Sequence, residues 1–192
     1  LYAGMDAVQF VHALTQQHFY DIWDVETAID ARVLDIVQRV RAGGDEALRD
    51  IARQVGDTVP DSGWRVPNEA FQAAEQAVSQ ESKQVLQASA NNIRWYCDAI
   101  MERFKTPVQL NHNGFSVGMD FKPVDRVACY VPAGRYPLPS TALMTAITAK
   151  AAGVKDVAIF TPRPQPEILY AAILAGVQEV YQLGGAQAVA AA

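Results

Sequence analysis

The chain has 192 residues, half of them hydrophobic, and is long enough to bury a sizeable core in one globular unit or somewhat more. A formal net charge of −5 supplies no basic surface for nucleic acid or anionic lipid. No run approaches the roughly 18 apolar residues of a membrane span, and no cationic stretch followed by an apolar one opens the chain as a secretory signal would.

The chain opens on Leu1 rather than Met, which predicts a start further upstream. Asp24 is a candidate N-cap. Val25, Ile29, Val33, Ile36, Val37 and Val40 follow at spacings of three and four, one apolar stripe of a helix that Gly43-Gly44 stops. Asp45 caps a second helix with Leu48, Ile51 and Val55 inward, ended by Gly56. Pro, Gly, Asp and Ser make residues 57–67 a loop. Asn68 caps a third helix bearing Phe71, Ala74 and Val78. A longer helix runs from about Ser79 to Phe104, with Leu86, Ile93, Ile100 and Phe104 on or near one face. Its Trp95 and Tyr96 are assigned to the core, with contact surface for a second subunit as the alternative.

The texture then changes. Val108-Gln109-Leu110 and Phe115-Ser116-Val117 alternate around Asn111-His112-Asn113-Gly114, a hairpin with a four-residue turn. Beyond it strand and helix alternate: strand Arg126 to Val131, helix Ser140 to Ala152 capped by Ser140, strand Asp156 to Phe160, a Pro-rich loop from Thr161, helix Glu167 to Ala175, strand Glu179 to Leu183, and a helix opened by Gly184-Gly185-Ala186-Gln187. Apolar strands joined by helical crossovers predict a parallel sheet covered on both faces. The fold class is therefore α/β: a helical region over 1–105, a β-hairpin connector over 106–127 and an incomplete, Rossmann-like parallel unit over 128–192. The last helix meets Ala192 with no Gly, Asn or Pro to end it, and a sheet of three strands is small for its class, so the functional unit is expected to extend further.

Chemistry-bearing residues are sparse. Cys97 and Cys129 stand in no CxxC pair or Cys/His cluster and read as reduced, packed thiols of a cytoplasmic protein. His12, His18 and His112 are scattered, and the first two are not three or four apart as ligands on one helical face are. No metal site is expected within this chain. Ligands of open parallel sheets bind beyond the carboxyl ends of the strands, where three loops lie. In the first, Tyr130 through Pro137, Gly134 permits an unusual φ, Tyr130 either stacks on a base or packs in the core, and Arg135 either meets an anion or is solvated. The second is the Pro-rich loop. In the third, Gly184 and Gly185 let backbone approach a ligand at the start of a helix, whose free N–H groups favour an anion such as a pyrophosphate. A plain turn is the competing reading there, since neither GxGxxG nor a following ribose-binding acid is present.

Residues 123–192 resemble the histidinol dehydrogenase family. The resemblance rests on Pro-x-Asp-Arg-Val…Tyr-Val-Pro-x-Gly at Pro123 to Gly134, followed by Tyr136-Pro137, Leu143-Met144, Ala146-Ile147, Ala149-Lys150 and Ala152-Gly153-Val154. Thr161-Pro162, Ile168-Leu169, Ala171-Ala172, Ala175-Gly176-Val177 and Gly184 through Ala188 continue it in family order. Upstream, Gly44-Asp45-Glu46-Ala47 and Asn92-Ile93 fit more loosely.

The resemblance implies a homodimeric enzyme that uses NAD and zinc to oxidise an amino alcohol, L-histidinol, to L-histidine by way of the aldehyde. It places Tyr130 and Gln187 against NAD, with Gly134, Gly184 and Gly185 in the same cofactor-binding loops. The family's zinc ligands, its Glu–His pair and an Asn that meets NAD fall beyond Ala192, so this chain is expected to carry no catalytic or metal residue and to be inactive alone. Two alternatives stand beside this reading. The family usually has Pro-Gly-Gly where this chain has Pro132-Ala133-Gly134, and Arg135-Tyr136-Pro137-Leu138 follows. Relatives acting on other alcohols, such as a sulfonated diol, tend to carry Arg-Tyr-Pro-Leu here. The other alternative is a non-catalytic dinucleotide-binding or assembly module.

Overall fold

The computed structural model describes residues 7–61, 63–133 and 136–192, with side chains from residue 31 onward. The N-terminal helix α1 spans Ala7–Val55 and bends at Gly44, whose φ of 52° and ψ of −135° leave the helical region. The break thus falls where the glycine pair predicts it. Asp24 is no N-cap, because the helix starts at Ala7 and runs through it. His12, His18, Val25 and Ile29 have side chains outside the described residues. Helix α2 spans Asn68–Ala77; Pro67 occupies the cap position and Asn68 is already the first helical residue, so its side chain caps nothing. Helix α3 spans Gln80–Glu102 and begins as predicted at Ser79, whose hydroxyl accepts from the Ser82 N–H at 3.1 Å.

Strands β1 (Val108–His112) and β2 (Phe115–Met119) form a separate antiparallel hairpin. His112 pairs directly with Phe115, so the turn is the two-residue Asn113-Gly114 rather than a four-residue one. Both residues take positive φ, 48° and 83°, which lets the turn follow the right-handed twist of its strands.

The parallel sheet consists of β3 (Arg126–Tyr130), β4 (Asp156–Thr161) and β5 (Glu179–Gln182) in the order β3-β4-β5. Helix α4 (Pro139–Ala151) follows β3, α5 (Pro166–Ala175) follows β4, and α6 (Gly185–Ala191) follows β5. Pro139 and Pro166 occupy first-turn positions, where a missing N–H costs nothing and a fixed φ suits the helix. Consequently α4 starts one residue before Ser140, with Leu138 at the cap, and α5 starts one before Glu167. The segment 64–66, expected as loop, adds an antiparallel edge to β5: the Val66 N–H donates to Val180 O at 2.8 Å and the Gln182 N–H to Trp64 O at 2.7 Å. Covering the edge in this way removes a row of open backbone groups.

Strand alternation assigns the two sheet faces. Val157, Ile159 and Val180 point to one core with α4, α5, Ala74 of α2 and Leu86 and Ala90 of α3. Ala158, Phe160 and Tyr181 point to a second core with Val40, Leu48 and Ile51 of α1, Ala188 of α6, and Trp64. The first core is the larger. In it Ala142, Ala146, Ala171 and Ala172 are fully buried, and these small side chains let α4 and α5 pack together closely. The architecture among the described residues is mixed α/β, a three-layer arrangement around a short parallel sheet.

Two groups of apolar residues depart from expectation. Trp95 and Tyr96 are 73% and 61% exposed, so they lie outside the core; a 23-residue helix buries one stripe, here Leu86, Ala90 and Cys97, and these two face away from it. Val33 and Val55 are also exposed, although their spacing puts them with the buried stripe. Both line a cleft, described next.

Candidate functional site

The carboxyl ends of the three parallel strands converge on one point. Tyr130 ends β3 and lies on the same sheet face as Ala158 and Phe160, the face covered by α1 and α6. Its ring is 37% exposed and its hydroxyl accepts a hydrogen bond from the Gly185 N–H at 3.2 Å. Pro162 follows β4, and Gly184-Gly185 follows β5. A β-carbon on Gly184 would stand 2.5 Å from Pro162 Cβ, so only glycine fits against that rigid ring. Gly185 adopts a φ of +68°, and a β-carbon there would stand 2.6 Å from Gln187 Oε1. Backbone and side chains are thus packed as closely as a missing Cβ allows, which distinguishes this turn from an ordinary one.

Gln187 lies in the first turn of α6 and is 2% exposed, one of the few polar side chains in the core. A buried amide needs partners. Its Nε2 donates to Asp57 Oδ2 at 3.4 Å, joining the turn after β5 to the loop after α1. Arg32, Ile36, Val55, Asp57, Pro162 and Gln187 enclose a cleft of about 530 Å³ beside the glycine turn. A second, small cavity of about 50 Å³ separates Tyr130 and Phe160 from Ala188 and Val189. At the end of β4, Thr161 is fully buried and its Oγ1 has no hydrogen-bond partner.

Tyr130, Gly184, Gly185 and Gln187, singled out from the sequence, therefore stand together. Gly134 and Arg135 lie outside the described residues. Tyr130 neither stacks in the open nor packs wholly in the core: its hydroxyl holds the turn. The Gly185 N–H, expected to be free for an anion, is taken by that hydroxyl. Sequence reading missed Asp57 and Arg32, while Pro162 belongs to the Pro-rich loop that it placed at the strand carboxyl ends. Asp57 and Gln187 are 130 positions apart, and no local pattern marks the pairing.

The cysteines are both free and buried. Burial pushes the Cys129 thiol above its ordinary range, against a smaller opposing effect of a hydrogen bond with Thr145, so it is a packed, unreactive group. Among the described residues no three His, Cys, Asp or Glu side chains gather as a metal site would require. No helix of the described residues is long and apolar enough to cross a membrane.

A parallel sheet with helices on both faces, and its loops gathered at the strand carboxyl ends, defines the chain as an incomplete Rossmann-like α/β unit. Its relatives narrow the class. The Histidinol dehydrogenase profile matches residues 23–192, and the chain belongs to that family. It is 38% identical over 165 residues to a histidinol dehydrogenase of Vibrio parahaemolyticus, an alignment covering 85% of this chain and 37% of the relative. It is 41% identical over 172 residues to that of Symbiobacterium thermophilum, covering 85% and 38%. The crystal structure of histidinol dehydrogenase from Elizabethkingia anophelis superposes with a TM-score of 0.75 at 29% identity, covering 85% of this chain and 38% of that one. The chain thus spans less than two-fifths of the length of these relatives.

Proposed function

We propose that this chain is the amino-terminal, cofactor-side part of a cytoplasmic, NAD-dependent, zinc-requiring dehydrogenase that oxidises L-histidinol to L-histidine through the aldehyde, in histidine biosynthesis. Family membership supports the reaction class. The observation that carries the cofactor assignment is the Tyr130–Gly185–Gln187 assembly at the carboxyl ends of the parallel strands, where open α/β sheets bind ligands.

These residues fit part of a dinucleotide site. Gly185 leaves its backbone exposed at the start of α6, Gln187 offers an amide in a low-dielectric wall, and Tyr130 holds the turn that carries both. NAD, when bound, supplies the hydride acceptor. Tyr130, Gly185 and Gln187 would hold and orient it, and the apolar side chains Ile36 and Val55 would exclude water on one side. Among the described residues no three His, Cys, Asp or Glu side chains gather as zinc would require, and we assign the zinc ligands and the acid–base groups to other parts of the complete enzyme. Exposed Trp95 and Tyr96 on α3, with Leu110, Phe115 and Val117 on the hairpin, suit burial against a second copy in a homodimer. A sister dehydrogenase for another alcohol is the second reading, favoured by Pro132-Ala133-Gly134 and the Arg135-Tyr136-Pro137-Leu138 that follows.

The test is kinetic. In the complete enzyme, Tyr130→Ala and Gln187→Ala raise the KM for NAD more than that for the alcohol, whereas the 192-residue chain alone makes no NADH from histidinol. NADH production by the purified chain, scaling with its concentration, refutes the assignment of the chemistry to other residues. Turnover of a sulfonated diol in preference to histidinol moves the assignment to the second reading.

A further inference from the structure

We infer that Asp57 is a positioning residue that orients the Gln187 amide so that its carbonyl oxygen, not its NH2, is the end offered to a ligand. The inference rests on the reading of Gln187 as a cofactor contact. A Gln side chain is nearly symmetric in shape, so packing alone does not choose between its two amide orientations. A carboxylate does choose, because it only accepts. Asp57 Oδ2 lies 3.4 Å from Gln187 Nε2 and takes the donor end. The amide lies over the Cα of Gly185, where no β-carbon intervenes: an ideal Cβ there would stand 2.6 Å from Oε1 and 3.0 Å from Nε2, so the oxygen is the nearer end. Gln187 and Asp57 both line the cleft, and with Gln187 only 2% exposed the amide has little room to turn while Asp57 holds it.

A chemical consequence follows for the ligand. A carbonyl oxygen binds an O–H or N–H donor and repels a phosphate oxygen. The Gly185 N–H beside it is already occupied by the Tyr130 hydroxyl. The group of a dinucleotide that fits against Gln187 is therefore a ribose hydroxyl or a carboxamide NH2, and the pyrophosphate lies elsewhere along the cleft.

The experiment uses the complete enzyme and measures the KM for NAD, the KM for the alcohol, kcat and thermal unfolding. Asp57→Asn keeps the size of the side chain but can donate as well as accept, so it releases the orientation. Asp57→Ala removes the partner. Both are expected to raise the KM for NAD by about three- to tenfold, the range for one hydrogen bond, with kcat and the alcohol KM unchanged. In a Gln187→Ala background neither change has a further effect. Asp57→Asn keeps a partner for the buried amide and is expected to unfold close to the unmodified enzyme, whereas Asp57→Ala leaves the Gln187 NH2 without one and is expected to lower the unfolding midpoint by about 2–4 °C. If Gln187→Ala raises the KM for NAD and the Asp57 variants do not, or if the Asp57 effect persists without Gln187, the positioning role is overturned. If Gln187→Ala itself leaves the KM for NAD unchanged, the cofactor reading of Gln187 fails instead, and the role of Asp57 with it.

Discussion

Replacing Gly185 by Ala tests whether the glycine turn and the buried amide are one structural unit. Two costs follow from the geometry. Gly185 has a φ of +68°, and an L-residue held in that left-handed region costs about 1–2 kcal/mol. The new β-carbon would also stand 2.6, 3.0 and 3.1 Å from Gln187 Oε1, Nε2 and Cδ, so the amide must move. The amide is the far end of a flexible side chain and can move, but only by leaving Asp57, at about 1 kcal/mol for the hydrogen bond. Together the variant is expected to lose about 2–3 kcal/mol, which at about 2–4 °C per kcal/mol lowers the midpoint of thermal unfolding by roughly 4–12 °C. The assay is denaturant and thermal unfolding followed by circular dichroism. In a Gln187→Ala background the same substitution meets no amide, so its cost falls to the backbone term of about 1–2 kcal/mol. A loss below about 0.5 kcal/mol, the ordinary range of neutral surface changes, would refute the reasoning. Equal costs in the two backgrounds would refute the part of it that concerns Gln187.

Leu143 of α4 is fully buried in the larger core, and Leu143→Ala should cost about 2–5 kcal/mol, read as a shift in the urea midpoint with an unchanged slope. For Cys129 the sign of the pH effect follows from burial, which raises the folded-state pKa above the ordinary 9.0. The unfolded chain then gives up its proton first, so this contribution to stability is complete below pH 9.0 and is lost as the pH rises toward the folded value. Cys129→Ala should flatten the alkaline limb of a stability–pH curve measured from pH 7 to 11, and an unchanged limb would contradict the assignment.

Much of the fold is written in short-range patterns. Strand Asp156–Thr161 is apolar nearly throughout and is the central strand, buried on both faces, as such a run requires. The glycines after α4 and α5 stop those helices where expected, and Gly44 bends α1 where expected. Helix starts were less legible. Ser140, Glu167 and Asn68 each have cap or first-turn chemistry, but a neighbouring proline fixes the local φ and sets the boundary at Pro139, Pro166 and Pro67 instead. The hairpin turn is shorter than residue type predicts because strand pairing continues to His112 and Phe115, a choice made by the ladder.

By itself the sequence determined the α/β class, the order of its elements and the family, and it set Tyr130 and Gln187 in loops at the carboxyl ends of the strands. Periodicity, glycine stops and motif order are all local properties. Only the tertiary structure decided what those residues touch: that the Tyr130 hydroxyl occupies the Gly185 N–H, that Pro162 closes on Gly184, and that Asp57 reaches Gln187 across 130 positions. It also decided that residues 64–66 edge the sheet and that Trp95 and Tyr96 face outward. The physical reason is common to all of these. Hydrogen bonds and close contacts between distant segments depend on where the packed sheet and helices place each side chain, and residue type alone carries no record of its partner.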